Sequence, residues 1–334
     1  MIKKDLTIPK RILCDFALLE RLPKNHPKRT IVESDFARRL AGYRGEKNLR
    51  YFLNFLPEYE YQIFFDLRLS VHNFDFQIDC LLLSRFFSLI IESKNIAGTL
   101  IFDSRSEQCT RIYNGNEEGF SNPILQVARH RLLLQKWLKQ YKFPPLPIES
   151  FVAIAFPTTI IQSKNDDTSI YENVIHSEGA IHKIEKIKSQ YKKEYISPKQ
   201  INSLCKTLLD NHSPPVTNIL EKFEIDEKDL IKGVKCPACL FTNMQRKHGT
   251  WFCSSCQRHS KTAHEQALFE YFLLYDTSIT NKQFRDFTLL SDRYTAAYLL
   301  STSTLLKTQK GSNVFYRPSS IDWYLTNPQI KKLL

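Results

Sequence analysis

Two apolar runs, FDFQIDCLLLS at 74–84 and FSLIIESKN at 87–95, most limit what this chain can fold into. Residues 80–83 and 89–91 are unbroken apolar stretches, the pattern of strands buried on both faces. Only a turn fits between them, so they read as an antiparallel hairpin. A two-residue loop at Arg85-Phe86 and a four-residue loop over 84–87 give the same register. It sets Leu83 opposite Ser88 and Asp79 opposite Glu92, and alternation puts Glu92 and Lys94 on one face. A charged strand residue ordinarily faces solvent. In a strand buried on both faces, however, a carboxylate needs a partner or a cation. Two opposed carboxylates repel and raise each other's pKa, and they suit a hard divalent cation, which prefers oxygen ligands. A lysine beside them can hold a phosphate oxygen or stabilise developing negative charge. Such a set is suited to phosphodiester hydrolysis.

Two helices flank these runs in the sequence. Residues 45–56 read as an amphipathic helix ended by Pro57, with Glu46, Leu49, Leu53 and Leu56 on one face. Glu46 then points toward the sheet; the alternative is a first-turn glutamate that complements the helix dipole. A second helix is expected from Ser121 as N-cap, with Pro123 in the first turn, to about Tyr141. Gln126 and His130 share a face with Leu133 and Trp137, which can line a site at the sheet's edge. Equally, His130 can be an interior residue satisfied by a hydrogen bond.

Taken in order, Glu46, Asp79, Glu92-Ser93-Lys94 and Asn122-Pro123-Ile124-Leu125-Gln126 followed by His130 resemble the NERD (nuclease-related) domain. That domain is a branch of the PD-(D/E)xK nuclease superfamily, and the resemblance covers roughly residues 41–161. It implies an α/β fold with a PD-(D/E)xK-like mixed central sheet flanked by helices. It also implies a metal-dependent phosphodiesterase in which Asp79, Glu92 and the backbone carbonyl of Ser93 hold Mg²⁺ or Mn²⁺. Glu46 would complete the metal shell directly or through water, Lys94 would orient the attacking water or stabilise the transition state, and Gln126 would position phosphate or water.

The chain has 334 residues, a formal charge of +12 and a pI near 9.2. That length suits two or three domains, and the basic balance suits a polyanionic partner. No apolar run is long enough to span a bilayer. The opening MIKKDLTIPKR lacks the apolar core of a signal peptide, so a cytoplasmic location is expected. Cys14, Cys80, Cys109 and Cys205 are scattered and read as reduced, mostly buried thiols. Cys236, Cys239, Cys253 and Cys256 form CPAC and CSSC, the spacing of a structural zinc ribbon. Between the pairs, Arg246 and Lys247 with Trp251 as an exposed aromatic suit nucleic acid, and equally suit a solvated turn.

Residues 162–230 read as a weaker, helical linker region with a turn at Ser213-Pro214-Pro215. After the ribbon, a helix over 262–275 precedes a helix–turn–helix pattern. Thr280 caps the first helix, residues 292–300 form the recognition helix with Arg293 and Tyr294 near its start, and a hairpin wing turns at Gly311 between Lys307, Lys310 and the following strand. Residues 231–319 hold 12 Lys/Arg against 5 Asp/Glu. The expected division is an extension at 1–40, the nuclease-like domain at 41–161, the linker at 162–230, the ribbon at 231–260 and a winged-helix-like module at 261–334. Such tails resemble those attached to NERD domains in bacterial proteins. The expected function is cleavage or nicking of DNA, held as duplex by the tail, in defence or DNA processing; a homo-oligomer is compatible with it. Two alternatives stand beside it: a DNA-binding regulator or scaffold with a silent nuclease core, and an RNA nuclease. The groove-reading style of the tail argues against the latter.

Overall fold

The computed structural model describes the chain except residues 165–166, 216–217, 321, 326–329 and 331–334. It divides into two compact units, Met1–Thr7 with Leu40–Pro215 and Ile8–Arg39 with Val216–Leu334. In chain order the elements begin with strand β1 (Ile2–Lys4) and helices α1 (Lys10–Arg21) and α2 (Arg29–Leu53). Strands β2 (Gln62–Val71), β3 (Phe74–Leu83), β4 (Ser88–Lys94), β5 (Thr99–Asp103), β6 (Gln108–Tyr113) and β7 (Asn116–Phe120) precede α3 (Pro123–Gln140). Then come β8 (Ile148–Ile154), β9 (Ile160–Ser163), α4 (Ile170–Asn173), β10 (Val174–His176), α5 (Ala180–Gln190) and α6 (Pro198–Asp210). The remainder comprises α7 (Ile219–Phe223), β11 (Gln245–Lys247), β12 (Thr250–Phe252), β13 (His259–Ser260), α8 (Ala263–Leu274), β14 (Ile279–Thr280), α9 (Asn281–Thr288), α10 (Arg293–Thr302), β15 (Leu305–Lys310), β16 (Asn313–Pro318) and α11 (Asp322–Leu325).

The first unit is built on a mixed six-stranded sheet of order β1-β2-β3-β4-β8-β10. Pairing is antiparallel from β2 to β4 and parallel elsewhere. The β3–β4 register is the expected one, with Leu83 opposite Ser88 and Cys80 opposite Ile91. Two apolar layers enclose the sheet. One contains Leu81, Leu83 and Ile90 with Val127, Leu134 and Trp137 of α3 and Leu204 and Leu208 of α6. The other contains Cys80, Leu82, Leu89 and Ile91 with Leu49 and Leu53 of α2 and Ile184 and Ile187 of α5. Residues 162–230 therefore add β10 to the sheet and α5 and α6 to its faces. A second sheet, β7-β6-β5-β9, belongs to the same unit.

Strict alternation fails at one place. Cys80 packs in the α2 layer, yet Ile78, two residues away, packs with Leu81 in the α3 layer. On β2, Ile63 and Phe65 share the α2 layer, whereas Leu67 and Leu69 lie in the α3 layer. Both strands turn over at the same rung. There Asp66 has φ +49°, and the ladder passes from Phe65–Cys80 to Leu67–Ile78 without an Asp66–Asp79 pair. A left-handed aspartate within a strand is strained and costs of order 1–3 kcal/mol.

Two expected boundaries shift. The first helix begins at Arg29, well before residue 45, because Gly42 and Gly45 are absorbed rather than breaking it. A Cβ on Gly45 would lie 2.8 Å from the Asn95 Cβ and 3.3 Å from the Ser93 Oγ, so the glycine permits close approach of α2 to the end of β4. Asn95 Nδ2 donates to the Ala41 carbonyl at 2.8 Å across the same contact. The N-cap of α3 is Asn122 rather than Ser121: its Oδ1 accepts the Ile124 N–H at 2.9 Å.

In the second unit, α1 packs with α7 and α8 although α7 begins only at Ile219 and α8 at Ala263. The fully buried Arg21 is paired with the fully buried Glu270. Its Nη1 donates to the carbonyls of Ile231 (3.0 Å) and Gly233 (2.7 Å), and its guanidinium lies over the Phe287 ring. Two three-stranded sheets complete this unit, β11-β12-β13 and β14-β16-β15. Among the described residues no helix is long and apolar enough to cross a membrane.

Candidate active site

Glu92 lies near the end of β4 and is only 2% exposed. Lys94 follows two residues later on the same face, as strand alternation requires. Glu92 Oε1 accepts from Lys94 Nζ at 2.7 Å and from Gln126 Nε2 at 2.5 Å. Lys94 also donates to Gln126 Oε1 at 3.0 Å, closing a three-membered network between β4 and the first turn of α3. Glu92 Oε2 is buried without a hydrogen-bond partner. It faces His130 Nδ1, also buried and unpartnered, at 3.7 Å. Burial holds the His130 imidazole below its ordinary pKa, against the pull of Glu92, so at neutral pH the ring is uncharged.

Asp79 sits where the β3–β4 ladder ends. In place of a backbone pair, its Oδ2 accepts the Ser93 N–H at 2.9 Å. Burial first, then the charges of Glu92 and Glu46, raise the Asp79 carboxyl well above the usual range; the Ser93 hydrogen bond and Lys94 oppose them. Glu46 comes from the opposite layer, on α2, and joins this group electrostatically. Its carboxyl is pushed up to about 8, chiefly by burial, then by Asp66 and Glu92, with Lys4 and Lys94 opposing.

Asp66 and Lys4 were not expected in the site. Lys4 Nζ donates to the carbonyls of Phe65 and Asp66, each at 2.8 Å, and lies 3.8 Å from Asp66 Oδ2. Gln77 Nε2 donates to Asp66 Oδ1 at 2.7 Å. Lys4 thus clamps the left-handed residue that interrupts the β2–β3 ladder beside Asp79. Asp66 carries the same signal that exposes Asp79, a lone acid in an apolar strand run. Lys4 carries no such signal, because only the parallel pairing of β1 with β2 brings it there.

This donor set fits a hard divalent cation. It offers carboxylate oxygens, one of them buried and unpaired, and carboxyls whose mutual repulsion a cation relieves. Asp79, Gln126, Arg129, His130, Phe74 and Phe76 help line a cleft of about 500 Å³ at this end of the sheet.

Residues 41–155 match the family model of the nuclease-related domain, NERD. The NERD segment runs from within α2 to the end of β8 and contains Glu46, Asp66, Asp79, Glu92, Ser93, Lys94, Gln126 and His130, but not Lys4. No curated protein and no solved structure matches the chain significantly.

The four ribbon cysteines converge in the second unit. Their sulfurs lie within 4.8 Å of one another, with Cys236–Cys256 and Cys239–Cys253 each at 3.6 Å. A disulfide needs about 2.05 Å, whereas tetrahedral thiolates about 2.3 Å from zinc lie roughly 3.8 Å apart. The two Cys-x-x-Cys turns are built alike. Leu240 N–H donates to the Cys236 carbonyl and Gln257 N–H to the Cys253 carbonyl, both at 2.9 Å; Leu240 and Gln257 are left-handed, at φ +60° and +59°. The cluster fits a zinc ribbon.

One expectation in the ribbon is corrected. Trp251 is 1% exposed, not a surface aromatic: its Nε1 donates to His264 Nδ1 at 3.2 Å. An aromatic flanked by basic residues in a turn gives no sign that α8 will cover it. Arg246 is half-buried over the Trp251 ring, while Lys247 is exposed. Farther on, Thr280 and Gln283 form a capping box on α9, and Asp292 caps α10 by accepting from Tyr294 and Thr295. Arg293, Lys307 and Lys310 are exposed, Tyr294 is 83% exposed, and Gly311 turns the β15–β16 hairpin at φ +61°.

Proposed function

We propose that this chain is a metal-dependent DNA endonuclease or nickase that hydrolyses phosphodiester bonds. The observation that carries the reading is the unpaired, buried Glu92 Oε2 set among Asp79, Glu46 and Lys94. A buried carboxylate oxygen without a donor is costly, and a divalent cation satisfies it.

In this reading Asp79 and Glu92 would hold Mg²⁺ or Mn²⁺, and Glu46 and the Ser93 carbonyl would contribute further oxygen ligands. The bound cation supplies Lewis-acid stabilisation of charge developing on the scissile phosphate. Gln126, held to both Glu92 and Lys94, fixes the ammonium near that phosphate. Lys94 Nζ then donates to an oxygen whose negative charge grows in the transition state. Water attacks phosphorus and the sugar oxygen departs, so no covalent intermediate with the protein forms.

The four-cysteine ribbon would hold zinc structurally. The helix–turn–helix and β15–β16 hairpin would act as a winged helix on duplex DNA. Arg293 and Tyr294 would meet bases, and Arg246, Lys247, Lys307 and Lys310 would meet phosphates.

The test is purified full-length protein with supercoiled plasmid, linear duplex and single-stranded DNA, with Mg²⁺, Mn²⁺ or no added divalent cation. Cation-dependent cutting that Asp79→Asn and Glu92→Gln abolish supports the reading. Binding without cutting under every condition would replace it with the regulator or scaffold, and cutting of RNA alone would replace the substrate.

A further inference from the structure

The cleft beside Asp79 has a mouth that phosphodiester hydrolysis alone does not explain. Phe74 stands there 66% exposed. It lies at the start of β3, just after the turn made by left-handed His72 at φ +52°. The hairpin that carries it is braced, since Arg68 Nη2 donates to Asp75 Oδ2 at 2.7 Å and Ser70 donates to the same carboxylate. The ring is therefore exposed on a fixed support. Across the cleft, Arg129 on α3 is exposed and forms no ion pair among the described residues.

We propose that this cleft is a nucleobase subsite that takes one unpaired nucleotide of a DNA strand, its base stacked on Phe74 and a flanking phosphate on Arg129. The proposal rests on the nuclease reading, because Asp79 lines the same cleft and so places the scissile bond next to it. At about 500 Å³ the cleft is within the range of sites for single small groups. In an intact duplex both faces of each base are covered by neighbours, so only an unpaired or extruded base can present a face to the ring. The polar neighbours Asp75 and Gln77 are already engaged, by Arg68 with Ser70 and by Asp66. Recognition is then by stacking and charge, tolerant of base identity.

Three oligonucleotides of one sequence test this with the full chain: a single strand, a blunt duplex, and a duplex with a single-stranded tail. Without added divalent cation, Phe74→Ala should weaken binding of the single strand and tailed duplex by roughly 5- to 150-fold, the range set by one lost base–aromatic stack. It should change blunt-duplex binding little, and Phe74→Trp should restore the loss. Single strands carrying 5-iododeoxyuridine should photo-crosslink to Phe74, mapped by peptide mass spectrometry. Equal weakening of single strand and duplex, no weakening, or failure of the tryptophan variant to rescue overturns the subsite. The same loss seen with an RNA strand and not with DNA overturns the choice of polymer. If the selective loss holds but no substrate is cut with Mg²⁺ or Mn²⁺, the nuclease reading fails and the subsite stands. If cutting persists without the selective loss, the subsite fails and the nuclease reading stands.

Discussion

Replacing Glu46 by glutamine should stabilise the cation-free protein, and increasingly so as pH rises. In the folded chain this carboxyl is pushed from 4.5 up to about 8, so it stays protonated where the unfolded chain would ionise it. A group raised in this way contributes fully below its unfolded pKa, and the contribution is lost as pH climbs through the folded value. At pH 7 the 2.5 units above 4.5, at about 1.4 kcal/mol per unit, set an upper figure of about 3.5 kcal/mol. A domain of roughly 150–250 residues shifts its Tm by about 2–4 °C per kcal/mol. Thermal melts of wild type and Glu46→Gln, without added divalent cation, should therefore differ by up to about 14 °C at pH 7. The gap should close at pH 5, where only about half a unit remains. Adding Mg²⁺ or Mn²⁺ at pH 7 should raise the wild-type Tm more than that of the variant, because in the proposed site the ionised Glu46 carboxylate would be a ligand. A gap that stays constant from pH 5 to 8 would show that Glu46 does not share the repulsive pocket of Asp79 and Glu92.

Asp79→Asn and Glu92→Gln should each abolish cleavage while DNA affinity, measured by fluorescence anisotropy, stays within about twofold; wild-type turnover in either variant removes the proposed site. Elemental analysis should find one zinc per chain, and Cys253→Ser should lose it together with ribbon order, since structural zinc contributes about 10–16 kcal/mol in small finger peptides. Substituting Lys307 and Lys310 by alanine should weaken binding to all duplexes alike and reduce the salt slope by about 0.9 per lost phosphate contact. Arg293→Ala or Tyr294→Ala should instead relax sequence preference by about 1–3 kcal/mol per lost base contact. Point changes are the better test of the tail. Ending the chain near Pro215 would strip α1 of its partners and leave Arg21 buried in intent but unpaired with Glu270.

What the sequence determined by itself is the local chemistry. The β3–β4 hairpin and its register follow from two unbroken apolar runs and a short turn, so Glu92 and Lys94 had to share a face. The cysteine pairs announce a tetrahedral thiolate site through spacing alone. The capping residue Thr280 marks the start of α9, because its side chain satisfies an orphan N–H group three residues on.

Tertiary structure decided whatever depended on distant segments. Strand alternation, a local rule, could not foresee that β2 and β3 turn over together at Asp66 and Asp79. That inversion is held by Lys4, and a parallel β1–β2 pairing leaves no periodic trace in the long stretch between Lys4 and Gln62. Gly45 looks like a helix boundary until the end of β4 stands close enough to need the missing Cβ. Trp251 looks exposed until α8 covers it. The second unit takes α1 from near the start of the chain because Arg21 finds its carboxylate and carbonyl partners only beyond residue 230. Short-range patterns specify which atoms can do chemistry; only packing between distant segments specifies which of them meet.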